Sequence, residues 1–218
     1  AESTMTDAML TPWGEVLDRE HPLPEYPRPQ LRRQSYLNLN GIWEYAITKT
    51  PEKPTLMQGE IVVPFSPEAL LSGVGHILQP DECLWYRRTI SLPEEFKQDS
   101  RVLLHFGAVD QCCTVWLNGE ELGRHIGGYL PFTFELTDHL SSDPFTLELC
   151  VTDPTDTGFL SRGKQRLKHA GIWYTPQSGI WQTVWLEAVP QNYLHSLRIT
   201  PLLEKCAVHF LLKADDPA

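Results

Sequence analysis

Hydrophobic positions along the chain recur at intervals of two rather than three or four, the period of half-buried strands. Phe145, Leu147, Leu149 and Val151 alternate with polar or small residues, and Val102, Leu104 and Phe106, like Cys113, Val115 and Leu117, fall on one face of a strand. The same pattern predicts strands over 37–45, 62–65, 84–90, 120–126 and 131–136. It also predicts an unbroken strand from Trp181 to Val189, with Trp181, Thr183, Trp185 and Glu187 on one face and Gln182, Val184 and Leu186 on the other. Asn118-Gly119 between two such runs is the two-residue hairpin signal, because both positions tolerate positive φ. No segment has the period of an amphipathic helix. Short strands separated by Pro, Gly and Asn therefore predict an all-β, antiparallel β-sandwich, and among sandwiches an eight-stranded jelly roll of the galactose-binding-domain type.

Punctuation divides the chain. Pro12, Pro22, Pro24, Pro27 and Pro29 forbid a regular helix in residues 1–34, which are expected to run extended across the surface of residues 35–190. Those residues hold the sandwich. Two further strands, 194–200 and 206–213, are too few to bury a face, so 191–218 are expected to open a further domain. Between Asp153-Pro154 and Gln177 runs a long loop without either period, and long ordered loops tend to carry function. Glu187, on a strand, reads as an ordinary surface carboxylate.

Composition narrows the partners. With 18 Lys and Arg against 28 Asp and Glu in 218 residues, the net charge of -10 argues against nucleic acid and anionic membranes and is compatible with a neutral ligand. Seven Trp and seven Tyr suit the flat C–H faces of sugars, although most of these rings are expected to fill the core. The five cysteines, two of them adjacent, fit neither a disulfide framework nor a zinc site and read as reduced thiols. No apolar run is of membrane-spanning length and the first ten residues lack the pattern of a signal peptide, so a cytoplasmic location is expected. Eight scattered histidines, no nucleophile elbow and no phosphate or dinucleotide loop leave no expected metal, cofactor or catalytic group in this chain.

Polar density peaks in the long loop. Read from residues alone, a solvated loop in which Asp153 and Asp156 make Asx turns beside Pro154 is the simpler account, and charge-assisted contacts to sugar hydroxyls are the functional one.

An ordered set of short segments then adds a resemblance. Tyr26–Leu31, Leu39-Asn40-Gly41-Ile42-Trp43, Trp85-Tyr86-Arg87-Arg88, Phe106–Asp110, Val115–Gly119, Val151–Asp156 with Arg162–Gln165, and Ser178–Glu187 resemble the N-terminal domain of glycoside hydrolase family 2, in family order from about Tyr26 to Val189. The resemblance implies a jelly roll lying against an immunoglobulin-like domain and a catalytic barrel of the same chain, with a β-linked galactose, glucuronic acid or mannose as substrate. It implies that Asp153 contacts a substrate hydroxyl, that Asp156, Arg162, Lys164 and Gln165 organise the loop or add contacts, and that Tyr174 and Trp181 border the pocket, although a core role for Trp181 fits equally. The two carboxyl groups of retaining hydrolysis, about 5 Å apart on rigid strand ends, belong by the resemblance to the barrel, so this chain alone is expected to be inactive. A homo-oligomer of the full-length enzyme is compatible with it. Two other readings stay open: a free-standing carbohydrate-binding module, and a domain that serves assembly.

Overall fold

The computed structural model describes residues 9–97 and 101–215. After one helical turn, α1 (Pro12–Glu15), every long element is a strand: β1 (Tyr36–Asn38), β2 (Gly41–Thr48), β3 (Gly59–Val63), β4 (Cys83–Ile90), β5 (Arg101–Phe106), β6 (Val109–Asp110), β7 (Cys112–Leu117), β8 (Glu120–Ile126), β9 (Phe132–Glu135), β10 (Phe145–Thr152), β11 (Gly179–Ile180), β12 (Val184–Val189), β13 (Leu194–Leu202) and β14 (Ala207–Ala214). They form a four-stranded sheet, β1-β12-β5-β9, facing a six-stranded one, β3-β2-β4-β10-β7-β8. The strands of both sheets pair antiparallel, and the chain steps repeatedly from one sheet to the other, so the expected jelly-roll sandwich is the fold.

The sheets hold four and six strands rather than eight in all. One reason lies at Leu39-Asn40, where the run expected as a single strand crosses between sheets. Leu39 N–H donates to the Val184 carbonyl, and buried Asn40 accepts from Val184 N at 3.1 Å. The freed Leu39 carbonyl takes Trp43 Nε1 at 2.7 Å and Arg88 Nη1 at 2.6 Å. The crossing thus leaves few backbone groups unmet inside the protein.

The core lies between the sheets. Phe145, Leu147, Leu149 and Val151 of β10 are at most 1 % exposed and pack with Trp43, Tyr86, Leu104, Phe106 and Leu186. Each such large side chain stabilises the fold by about 1.5–3 kcal/mol relative to exposure. Asn118 and Gly119, at φ 49° and 84°, make the expected hairpin turn between β7 and β8.

The strand expected from Trp181 to Val189 is split. Gly107 and the Gln182-Thr183 step pack backbone to backbone: Gly107 N–H donates to the Thr183 carbonyl at 2.9 Å, and a Cβ on Gly107 would lie 2.6 Å from that of Gln182. The ladder therefore steps sideways into a separate short ribbon, β6 with β11, which the sequence pattern does not reveal.

Glu187 corrects the sequence reading most sharply. It is fully buried, not a surface carboxylate. The Pro-rich segment lies across the outer face of β12 and brings Tyr26, Arg28 and Arg33 onto it: Tyr26 Oη donates at 2.6 Å, Arg33 Nη1 at 2.8 Å, and Arg28 Nη2 also donates. His105 Nε2 donates at 2.8 Å while its Nδ1 accepts from Thr133 Oγ1 at 2.7 Å, a pair of bonds that suits the neutral ring. Burial alone would raise the Glu187 carboxyl, but the His105 and Tyr26 hydrogen bonds and the neighbouring positive charge outweigh it and hold it down to about 2. His105 is held below its usual value by burial, against the pull of Glu187.

Beyond Val189, β13 and β14 pair only with each other and are largely exposed, with Ile199, Val208 and Phe210 among the uncovered side chains. All five cysteines are free, and no described helix is long and apolar enough to cross a membrane.

Candidate functional site

The loop that leaves β10 at Thr152 and returns at β11 is fastened to the end of the sandwich by its polar side chains. Asp153 is 2 % exposed. Its Oδ1 accepts from Thr155 N at 2.7 Å, an Asx turn beside Pro154, and its Oδ2 accepts from Ser178 Oγ at 2.8 Å. The residue that the resemblance aims at a substrate hydroxyl is therefore turned into the loop, with both oxygens engaged. Burial raises its carboxyl above the usual aspartate range.

Two other acidic and amide candidates organise backbone. Asp156 accepts from Leu167 N at 3.1 Å, and Gln165 Oε1 accepts from Gln177 N at 2.7 Å. Gln165 and Tyr174 form a parallel bridge, closed by Tyr174 N–H donating to the Lys164 carbonyl at 2.8 Å. Tyr174 is 66 % exposed and Lys164 lies open to solvent, while Arg162 is half-buried with its Nε unpartnered among the described residues. Trp181, displaced from the strand, donates from Nε1 to the Gly128 carbonyl at 2.7 Å and meets Tyr129 edge to face at 6.1 Å. The structure thus groups Asp153, Asp156, Gln165 and Trp181 as fasteners and leaves Tyr174 and Lys164 exposed on the loop.

Ser178-Gly179 is the pivot of this arrangement. Ser178 N–H donates to Glu68 Oε2 at 3.0 Å, and Ile180 N–H donates to Tyr86 Oη at 3.1 Å. Gly179 sits at φ 73°, and a Cβ there would lie 2.2 Å from Tyr86 Oη, so both the conformation and the close approach require glycine.

Asp110 was missed by sequence reasoning as a site residue. The β6–β11 ribbon places it opposite Gly179. It is 4 % exposed, its Oδ1 has no hydrogen-bond partner among the described residues, and Gly128 packs so closely that a Cβ there would lie 2.7 Å from its carboxyl carbon. Burial, with the charges of Asp153 and Glu68 added, raises its carboxyl to about 7. Glu68 is raised too, by burial. The only sequence signal for Asp110 was its place at the end of the Phe106–Asp110 segment; Glu68 had none. The three acids share one end of the sandwich, close enough for Asp153 and Glu68 to act on Asp110 by their charge. Among the described residues no group of His, Cys, Asp and Glu is arranged to hold a metal.

The family model for glycosyl hydrolases family 2, sugar binding domain, matches residues 75–190. Human β-glucuronidase is 26 % identical over 142 residues, 56 % of this chain and 22 % of that protein. A β-galactosidase of Thermoanaerobacter pseudethanolicus is 30 % identical over 112 residues, 50 % of this chain and 14 % of that one. Among solved structures, Faecalibacterium prausnitzii β-glucuronidase superposes with a TM-score of 0.63 at 24 % identity, over 89 % of this chain and 38 % of that chain. The apo Ruminococcus gnavus enzyme gives 0.66 at 18 %, over 88 % and 35 %. These structures establish the likeness of fold, and the chain spans less than a quarter of the two curated relatives' length.

Proposed function

The chain belongs to glycosyl hydrolase family 2 through its sugar-binding domain, and from that premise we propose that it is the N-terminal domain of a retaining β-glycosidase acting on a β-linked sugar of the galactose or glucuronic acid type. Residues 35–190 are the sugar-binding-type unit; of the segment 1–34, the described residues 9–34 are a strap over its four-stranded sheet, and of 191–218, the described residues 191–215 are the opening strands of an immunoglobulin-like domain, the remaining residues of both segments lying outside the described ones. The 153–178 loop is lent to a pocket completed by a catalytic barrel of the same protein. Within that loop Tyr174, Lys164 and Arg162 face the ligand, while Asp153, Asp156, Gln165 and Trp181 hold the loop's shape.

The observation that carries this reading is the Ser178–Asp153 hydrogen bond. It ties the family's closing segment to the first acid of the loop, so a rigid sheet end presents the loop as one body, as a positioning element must. Glycoside hydrolysis needs two carboxyl groups flanking an open cleft. Asp110 and Asp153 are buried beneath loops, and Glu187 is neutralised by arginines. Residues 1–218 alone are therefore expected to be inactive.

Purified residues 1–218 assayed with 4-nitrophenyl β-galactoside, β-glucuronide and β-mannoside should release no 4-nitrophenol above background. Turnover that survives rigorous purification, and is lost on Asp153→Asn, would overturn the proposal.

A further inference from the structure

The solvent side of the six-stranded sheet is unlike the usual polar outer face of an antiparallel sandwich. Trp85 on β4 and Trp116 on β7 stand on either side of β10, and their indoles close over that strand, stacked at 5.5 Å with planes 24° apart. Ala46, Cys83 and Cys150 pack around them as an apolar cluster separate from the core. Beside the indoles lies buried Glu148, which has Trp116 opposite it on β7 and Arg87 opposite it on β4. Arg87 Nε donates to Glu148 Oε1 at 2.8 Å, and Lys53 Nζ donates to the other oxygen. Trp85 Nε1 is buried without a hydrogen-bond partner among the described residues.

This face is furrowed. A depression of about 460 Å³ lies between Arg87, Glu148, Asn118 and Thr146. A second, of about 210 Å³, continues it past Trp85 and Trp116, with Lys53, Gly119 and Glu148 lining both. A third, of about 410 Å³, shares Pro51 and Trp116 with the second and runs past Thr114 and Arg124 to Thr152. The furrow thus follows β7 and β10 from the Asn118-Gly119 turn to the residue before Asp153.

We propose that this furrow is a saccharide site in its own right, holding a neutral β-linked glycan with one pyranose ring stacked on Trp116 and its hydroxyls bonded to Arg87, Glu148 and Asn118. A shallow groove with an aromatic wall and planar charged groups beside it matches a ring that has an apolar face and a polar edge. A wholly apolar ligand would leave the Arg87–Glu148–Lys53 group desolvated without new partners. The thiols in the floor furnish apolar surface: burial, with Cys83 beside it, pushes Cys150 up to about 12, so it stays protonated. The proposal stands on the sheet face alone and does not depend on the loop serving an active site.

The test is titration of residues 1–218 with cellotetraose, xylotetraose, mannotetraose and galactotetraose, followed by tryptophan fluorescence and amide chemical shifts. At least one should bind saturably with shifts centred on Arg87, Trp116 and Glu148. Trp116→Ala should weaken it by about tenfold or more, and Trp116→Tyr should largely restore it. Thermal unfolding of each variant separates lost binding from lost folding. Absence of binding by all four at about 20 mM, or equal binding by Trp116→Ala, would overturn the proposal. So would light scattering that shows a dimer dispersed by Trp116→Ala, since that face would then be a contact between copies.

Discussion

The Tyr26 hydroxyl donates a 2.6 Å hydrogen bond to a Glu187 carboxylate that is wholly shut off from solvent, across 161 positions of sequence. Together with Arg28 and Arg33 it pins the Pro-rich segment to the sandwich. Removing one partner of a buried, paired charge leaves the others uncompensated, so Glu187→Ala should cost about 3 kcal/mol in urea unfolding. It should also open the segment before Ser35 to protease. Because the folded-state value of Glu187, about 2, lies below its unfolded value, this contribution is complete above about pH 5 and fades as pH falls toward 2. Equal acid stability of parent and Glu187→Ala would contradict the latch.

Asp110 predicts the opposite slope. Its folded-state value of about 7 exceeds the roughly 3.9 of an unfolded aspartate. The folded state is then the tighter proton binder, and stability declines as pH rises from about 4 to 7. Asp110→Asn should flatten that decline and be more stable than the parent at pH 8 by roughly 2 kcal/mol, with the gap closing toward pH 4. Denaturant midpoints across this range decide the matter; parallel curves for the two proteins would refute it.

The Asp153 carboxylate has two donors to lose. Asp153→Ala leaves Ser178 Oγ and Thr155 N–H without their acceptor, a loss of about 1–3 kcal/mol, and should speed proteolysis between 154 and 177. A side chain serving only as an open ligand contact would leave both measurements unchanged.

Gly179→Ala should be among the most damaging single changes in the chain. It adds a Cβ 2.2 Å from Tyr86 Oη at φ 73°, in a core without slack. A loss of about 3 kcal/mol or more is expected by thermal unfolding. Tyr86→Phe in the same background, which removes the clashing oxygen, should recover part of it.

The β13–β14 hairpin touches the sandwich through few bonds, among them Arg33 Nη2 to the Leu194 carbonyl and Arg101 Nη1 to Asp215. Ending the chain at Pro190 should therefore lower stability by no more than about 1 kcal/mol, the usual scale of exposed polar contacts. It should raise solubility by removing exposed Ile199, Val208 and Phe210. Cooperative loss of the whole fold on this truncation would place the domain boundary elsewhere.

Alternation in β5, β7 and β10 needs only local sequence, because a strand's two faces repeat every second residue whatever it pairs with. The Asn118-Gly119 turn is equally local. The split at Trp181–Thr183 is not: it results from the close approach of Gly107, some seventy positions earlier in the chain. Glu187 was misjudged for the same reason. A carboxylate on a strand reads as solvent-facing unless something covers it, and its cover is an aperiodic segment whose prolines show only that it is extended. In the candidate site the loop and its acids were legible from composition, but the inward turn of Asp153 was not.

Sequence alone thus determined the all-β class, most strand positions, the hairpin and the family, since each rests on periodicity, turn chemistry or ordered motifs along the chain. Tertiary structure alone decided which polar groups are buried and with whom: Glu187 beneath the strap, Asp153 tied to Ser178, Asp110 opposite Gly179, and two tryptophans closing over β10. Those pairings join residues far apart in sequence, and the cost of burying a charge or an amide is set by the neighbours that folding brings to it.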